Sequence, residues 1–341
     1  MHFIDYVLQQ PSYGWKSKSG ELIVPTRKQL FREAISRINV FNDRRNWISA
    51  RGGLVILLMS PFLYFFLTRY LSWPLVIAFT FYTLIVMGTH GTIWYHRYCT
   101  HKAYKFSNPF WRFMTQHLVI RTVPEEIYVV SHHVHHSKAD QPGDPYNSRG
   151  GFWYCMLAEF NHQLISKDLS AVDYNKTAGF LKHTGVKINS YKQYRCWGSV
   201  TNPFYSVASC LLNWAAWYSI LFVIGGHGLA CALFSSAMIW LIFIRAFNYT
   251  GHGKGKEKHK DGLDYDRSNL AINQSRPGLF TGEWHNNHHL YPGSARAGFL
   301  RYQLDLAWVY IFCMYKMGLV SSYRDSKKEF LKRYKTVASK T

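Results

Sequence analysis

The chain is short of charge, and of acid above all. Of its 341 residues only 17% are Asp, Glu, Lys or Arg, with 19 acidic against 40 basic, a formal net charge of +21. A disordered or fibrous chain carries more charge and fewer rings than the 17% aromatic found here. The six cysteines (Cys99, Cys155, Cys196, Cys210, Cys231 and Cys313) form no CxxC pair and no short regular spacing. That argues against a zinc ribbon or a disulfide framework and leaves reduced thiols. No HExxH occurs, so the usual hydrolytic zinc arrangement is missing. The opening Met1-His2-Phe3-Ile4-Asp5-Tyr6 puts no apolar core behind a basic stretch, so no secretory leader is expected. Nor do Lys and Arg gather into one stripe or a nucleic-acid motif; no nucleic-acid partner is expected.

What is present is apolar sequence in two blocks. The run 52–68 has no charge, and after Arg69 a second begins at Trp73. A hydrocarbon core of about 30 Å needs about 20 apolar helical residues, so 52–70 and 73–95 read as a spanning hairpin. The pattern returns at 205–224 and 228–247, joined through Gly225-Gly226-His227-Gly228. The expected fold is therefore an all-α integral membrane protein with four transmembrane helices in two hairpins. The connectors hold one basic residue, Arg69, whereas the N-terminal arm (1–50), 96–204 and the chain after 248 hold most of the rest. By the positive-inside tendency these three lie on the cytoplasmic side, with both termini, and build a helical cap facing the lipid bilayer. The stretches 108–120, 151–165 and 304–315 are apolar but too interrupted to span, and read as helices at the interface or packing the cap. Lys/Gly-rich 253–266 and the basic 324–341, especially 327–341, read as flexible.

The 17 histidines clump. His96 and His101 follow the second span; His132, His133, His135 and His136 lie in the middle segment; Asn248 and His252 end the fourth span; His285, His288 and His289 come last. Positions i, i+3 and i+4 share a helix face, so His132/His135/His136 are expected to converge on one point, and His285/His288/His289 on another. His96 and His101, five apart, sit roughly 140° around an α-helix from its ~100° step and need a bend, a helix end or two different ions. Nine imidazoles exceed what one ion takes, so two metals are the natural count. Imidazole alone does not choose among zinc, copper, iron and nickel. HxxHH is complete without His133, and His90, His117, His162, His183, His227 and His259 stand alone and read as structural.

The order HxxxxH, HxxHH, HxxHH, with a pair of spans before the second box and another after it, resembles the membrane fatty acyl desaturases. The last box is the most specific: Gly282-Glu283-Trp284-His285-Asn286-Asn287-His288-His289-Leu290-Tyr291-Pro292 with Ser294-Ala295-Arg296 is similar to bacterial and plastid Δ9-type enzymes. His96–Lys102 and Asp144-Pro145-Tyr146-Asn147-Ser148 match the family's surroundings, and the resemblance runs from about Arg45 to Tyr323, within a desaturase domain taken as 51–323. It implies two iron ions (Fe2+) held by His96, His101, His132, His135, His136, His252, His285, His288 and His289, Asn248 acting through a water, O2 as co-substrate, and an acyl tunnel beneath the metals. The implied reaction is insertion of a cis double bond, at Δ9, into a long saturated chain carried as acyl-CoA or acyl-lipid. Animal acyl-CoA members carry Trp, Asp and Arg where this chain has Tyr128, Ser131 and His133, which leaves the head group open. With no HPGG haem motif, electrons are expected from a separate carrier of the cytochrome b5, ferredoxin or rubredoxin type. A bacterial inner membrane fits the resemblance better than the endoplasmic reticulum. Two rival readings keep the same residues: a di-iron hydroxylase or alkane monooxygenase, and a non-redox zinc membrane protein.

Two placements complete the reading. Leu84, Gly88 and Thr92, spaced by four before His96, share one α-helical face and are expected to line the far end of the substrate tunnel. Arg97, Lys102 and Lys138 are candidates to steer phosphate-bearing head groups, with membrane-surface anchoring as the commoner role for such residues.

Overall fold

The computed structural model describes residues 2–252, 284–301 and 303–338, with backbone only for Asn248 and 334–338. The chain is helical almost throughout; a two-stranded antiparallel sheet, Tyr104–Phe106 against Val320–Tyr323, ties the middle segment to the C-terminal part. Among the described residues three helices are long and apolar enough to cross a membrane: Arg44–Arg69, Trp73–Thr100 and Pro203–Gly251.

The third of these is not one rod. Backbone angles leave the helical region at Gly225 (φ −149°, ψ 19°) and Gly226 (φ 67°, ψ −167°). In a straight helix Tyr218 and Phe234 would stand about 24 Å apart along the axis. Their rings are 6.1 Å apart, and both pack on Phe62 of the first helix, at 6.0 and 4.6 Å. The chain therefore doubles back into a hairpin. Phe66 stacks on Phe79 at 5.4 Å to join the first two helices, and Thr83 Oγ1 meets Ser236 Oγ at 2.6 Å to join the second to the returning arm. Small hydroxyl residues at such crossings let helices approach where apolar burial gives no drive. Leu57, Leu67, Trp73, Ile77, Phe81, Leu212 and Val223 are all more than half exposed on the outside, as side chains facing lipid would be.

Two spans differ from the sequence expectation. The second continues past Tyr95 to Thr100 and so carries His96 inside the helix and His101 at its C-terminal cap. The fourth, 228–247, contains a charge, Arg245, buried against Glu159 at 2.6 Å. Because the partner comes from elsewhere in the chain, the run still reads as apolar.

The cap is set by caps and buried carboxylates. The helix Glu125–Lys138 carries the middle histidine box. Its Glu126 accepts from Thr201 N at 2.7 Å, Val200 N at 3.0 Å and Ser199 Oγ at 2.7 Å, while Glu125 is paired to Arg121 at 2.8 Å. Both acids sit in the first turn, where the helix dipole favours them. Asn108 caps Pro109–Gln116, and Asp305 caps Leu306–Lys316. Both helices leave apolar side chains outside (Phe110, Phe113, Met114; Val309, Phe312), as interface helices do. The segment 151–165 takes the packed alternative instead. It forms two short helices, Phe152–Met156 and Ala158–Asn161, which bury Tyr154, Cys155, Ala158 and Phe160.

The C-terminal stretch is a second correction: Lys327–Ala338 is a helix, not a loose tail. Phe330, fully buried, stacks on Phe299 at 4.7 Å, and Leu290, Tyr291, Leu300 and Leu331 pack around the two rings to dock the basic helix. Segment 253–266 lies outside the described residues.

The hairpin break gives a direct test. At Gly226 a Cβ would meet nothing within 4 Å, so a side chain there costs only backbone strain. The conformation is one that only glycine adopts readily, at about 1–3 kcal/mol for other residues. Gly226→Ala should lower the melting midpoint of the detergent-solubilised protein by a few degrees; an unchanged or higher midpoint would show that the turn relaxes.

Candidate metal centre

The first histidine pair is placed by an unusual helix. Over Gly91–Thr100 the backbone bonds i to i+5, as a π-helix does, and His101 N continues the pattern by donating to His96 O at 3.1 Å. The wider turn advances each residue by a smaller angle, so His101 lies one turn above His96 and only roughly 50° around from it. The 140° offset of a regular α-helix is thus much reduced, and no second ion or sharp bend is needed to bring the pair together. Their ring centroids are 5.1 Å apart.

All nine box histidines gather, in two groups. His96, His101, His132, His136 and His288 form one, and His135, His252, His285 and His289 the other, with the facing nitrogens of each group within 4.8 Å of one another. Each HxxHH box is thus divided rather than convergent. On Glu125–Lys138 the i,i+4 pair His132/His136 turns to the first group and His135 to the second. On His285–Leu290 the i,i+4 pair His285/His289 turns to the second and His288 to the first. The i+3 residue sits about 60° behind its box's first histidine, enough to face a neighbouring centre when two such helices lie side by side. His136 and His289, stacked at 4.5 Å, mark where they meet.

The nitrogens turned inward are Nε2. His288 Nε2 is 2.8 Å from His96 Nε2 and 2.9 Å from His136 Nε2, which is 3.1 Å from His132 Nε2. In the second group His285 Nε2 is 2.8 Å from His252 Nε2 and 3.0 Å from His289 Nε2. The outer nitrogens are held: His135 Nδ1 donates to Asp144 at 3.0 Å, His252 Nδ1 to Asp140 at 2.9 Å, and His132 Nδ1 faces the Tyr146 hydroxyl at 3.3 Å. A proton fixed on Nδ1 leaves the Nε2 lone pair inward, the tautomer a metal ligand requires. Lone pairs cannot satisfy one another. The buried Nε2 atoms of His101 and His135 have no hydrogen-bond partner. Nitrogens about 2.1 Å from a shared cation and at right angles stand about 3.0 Å apart, the spacing seen here. The donor set fits two cations.

Burial, with neighbouring imidazoles adding to it, holds His101, His132, His136, His288 and His289 well below their ordinary pKa. At neutral pH these rings are neutral and free to donate their lone pairs. Burial opposes ionisation of Asp140, but the hydrogen bond from His252 and the surrounding positive character outweigh it and hold the carboxyl below its usual range.

Other sequence candidates fall differently. Asn248 lies one turn before His252 on the same helix, and its side chain lies outside the described residues, as does His259. His133 belongs to neither group; it stacks on Phe180 at 4.3 Å. His90 meets Thr115 O, His183 meets Tyr98 O, and His162 stacks on Tyr154. Arg97 is no surface steering group: it is buried, forks onto Asp305 at 2.8 and 2.9 Å and donates to Ala295 O. Lys138 pairs with Asp5 at 2.6 Å. Asp140 and Asp144 had no assigned role in the sequence reading. Their signal was the scarcity of acid, with two of the chain's 19 acidic residues just after the middle box.

A cavity with about 820 Å³ of empty space, mouth included, opens beside the histidines. Of the three tunnel candidates only Thr92 lines it; Leu84 and Gly88 do not. The wide turns over Tyr82–Met87 and Gly91–Thr100 rotate the helix, so a spacing of four no longer keeps one face. Gly91 takes the expected place of Gly88: a Cβ there would come 2.7 Å from the Trp240 indole, which closes the cavity on that side.

Comparison with known proteins finds one family. The model of the fatty acid desaturase family matches residues 71–323. The sn-1 stearoyl-lipid 9-desaturase of Synechocystis is 27% identical over 76% of this chain and 74% of its own length. The chloroplastic palmitoyl-monogalactosyldiacylglycerol delta-7 desaturase of Arabidopsis thaliana is 27% identical over 82% and 70%, and the icosanoyl-CoA 5-desaturase of Limnanthes douglasii 24% over 80% and 71%.

The lowered histidine pKa values fix the sign of a pH dependence. In the unfolded chain these rings titrate near about 6.5. Their folded pKa values are lower, so the stability they contribute is complete above that value and is lost as pH falls toward the folded ones. Melting midpoints measured without added metal should fall between pH 7.5 and 5. Added Fe2+ should offset the loss at the upper end, since protons compete with the cation for the same nitrogens. A flat profile over that range would contradict neutral buried imidazoles.

Proposed function

Because the chain belongs to the fatty acid desaturase family, we propose that it is a membrane acyl desaturase that uses O2 and two histidine-held iron ions to place a cis double bond at Δ9 of a long saturated acyl chain. The observation that carries this reading is the division of nine histidines, six buried and three partly buried, into groups of five and four beside one cavity. Iron suits imidazole donors and, unlike zinc, has the redox chemistry that removal of two hydrogens requires. When bound, the pair supplies the oxidising power from O2 that breaks unactivated C–H bonds.

The chain's own residues do the rest. Asp144 and Asp140 orient His135 and His252, and Tyr146 faces His132, so the inward lone pairs are set before any ion arrives. Asn248, one turn before His252, is placed to hold a water at the four-histidine group. Gly91, Thr92, Val123, Trp240 and Ile244 line a largely apolar channel along the first group, where a methylene chain gains by leaving water. An unactivated chain has no polar handle near the reacting carbons, so selectivity for one carbon pair rests on positioning. Among relatives of similar identity the printed double-bond positions are 9, 7 and 5 and the carriers both lipid and CoA; the assignment to Δ9 follows the stearoyl-lipid 9-desaturases and the third histidine box.

The apolar helices and the Gly225–Gly226 hairpin support four crossings, with the histidine-bearing cap, the N-terminal arm and the basic C-terminal helix on the cytoplasmic side. Electrons come from a separate carrier, and the net positive charge suits an acidic one.

Expression in a desaturase-deficient host, with double-bond analysis of its fatty acids, should give cis-Δ9 products from C16 or C18 chains; hydroxylated products would select the hydroxylase reading. His288→Ala and His285→Ala should each lose about one of two bound irons and at least 100-fold in product, whereas His133→Ala keeps both irons and most of its activity. Equal loss in all three would end the ligand assignment. Gly91→Leu should retain iron but shift products toward shorter chains, because its side chain and Trp240 compete for one space.

A further inference from the structure

A charged pair lines the cavity beside its apolar side chains and its histidines. Glu159 and Arg245 both face it, together with Gln163. Their side chains are each 8% exposed, and Arg245 Nε and Nη2 both donate to Glu159 Oε2, at 2.9 and 2.6 Å. The guanidinium also lies 4.8 Å from the centre of the Phe160 ring. Among the described residues Arg245 Nη1 makes no hydrogen bond. Removing two charges from water is expensive, and apolar residues would fill the same space at no cost to stability. The pair is unexplained by packing.

Its position suggests what it does. Arg245 precedes His252 by seven residues, two turns of one helix, so the two share a face about 10 Å apart along the axis. An extended hydrocarbon with bonds of about 1.5 Å covers that distance in roughly eight bonds. An oxygen held at Arg245 therefore leaves about the eighth and ninth carbons of its chain level with the histidines. The charge state restricts the oxygen further. Glu159 already neutralises Arg245, so the pair offers one donor and no net positive charge. A carboxylate would meet Glu159 with nothing left to balance it, whereas a neutral carbonyl needs only the donor.

We propose that Arg245, held by Glu159, is the specificity-determining residue that binds the carbonyl oxygen of an esterified acyl chain, excludes the free carboxylate and sets the carbon register at the metal centre. This rests on the desaturase reading above.

The test uses the full-length protein in detergent with a bound fluorescent ester, methyl cis-parinarate, displaced at pH 8.5 by methyl stearate, stearate or octadecane. In the wild type the ester should displace the probe at about tenfold lower concentration than either competitor, the size of a charge-assisted hydrogen bond. In Arg245→Met/Glu159→Leu, which removes the pair without stranding a charge, methyl stearate should fall to the level of octadecane. In Glu159→Gln the guanidinium is left cationic, and stearate should equal or overtake the ester. Products of the double variant should also spread over neighbouring positions at unchanged iron content. A wild type that does not separate ester from alkane, or a double variant that still does, overturns the proposal. If the double variant does not fold, Glu159→Gln decides, since an unchanged order of ester over stearate there also overturns it. Binding is read without turnover: a protein that prefers the ester yet makes no double bond would defeat the desaturase reading and leave this one standing.

Discussion

Nine imidazole lone pairs turned toward one another cannot satisfy each other, and the structure is organised around that constraint. Seven of the inward Nε2 atoms face another at 2.8–3.1 Å, a spacing that is repulsive unless cations stand between. Burial keeps His101, His132, His136, His288 and His289 neutral, and Asp144 and Asp140 accept from the outer nitrogens of His135 and His252. The centre is therefore built in advance, with its instability as a metal-free assembly held in check by the cap.

That holding falls to groups far from the histidines. Glu126 fixes the helix Glu125–Lys138 by collecting the donors of 199–201, Glu125 anchors Arg121 at its start, and Arg97 forks onto Asp305 below the last box. These carboxylates are buried, and the chain has few acids to spend. Most of the scarce negative charge inside the protein thus serves to aim basic or imidazole side chains. Over the whole chain basic residues outnumber acidic ones by 40 to 19.

The wide helix over Gly91–Thr100 connects membrane and metal. It brings His96 and His101 toward one face, and the same widening moves Gly91 rather than Gly88 against Trp240. One backbone irregularity therefore sets both a ligand pair and the shape of the cavity beside it. Such a segment has to be stabilised by its surroundings, and it is fully buried from Gly91 to Thr100.

The sequence by itself determined which residues meet. Histidine clusters at helical spacings, flanked by apolar runs of spanning length, announce a metal centre at a membrane face, because ligand identity and hydrophobic length are local properties. It also located the hairpin, since paired glycines inside an apolar run have few other uses. Tertiary structure decided how they meet. Whether HxxHH converges or divides depends on a second helix lying alongside, and α-helical periodicity does not foresee a π-helix whose extra width is stabilised by distant packing. Arg245 reads as an interruption in an apolar run until Glu159, 86 residues earlier, is brought to its side. Phe330 makes a helix of an apparent tail because Phe299 waits for it. In each case the deciding partner is remote in sequence, and only the fold puts it within reach.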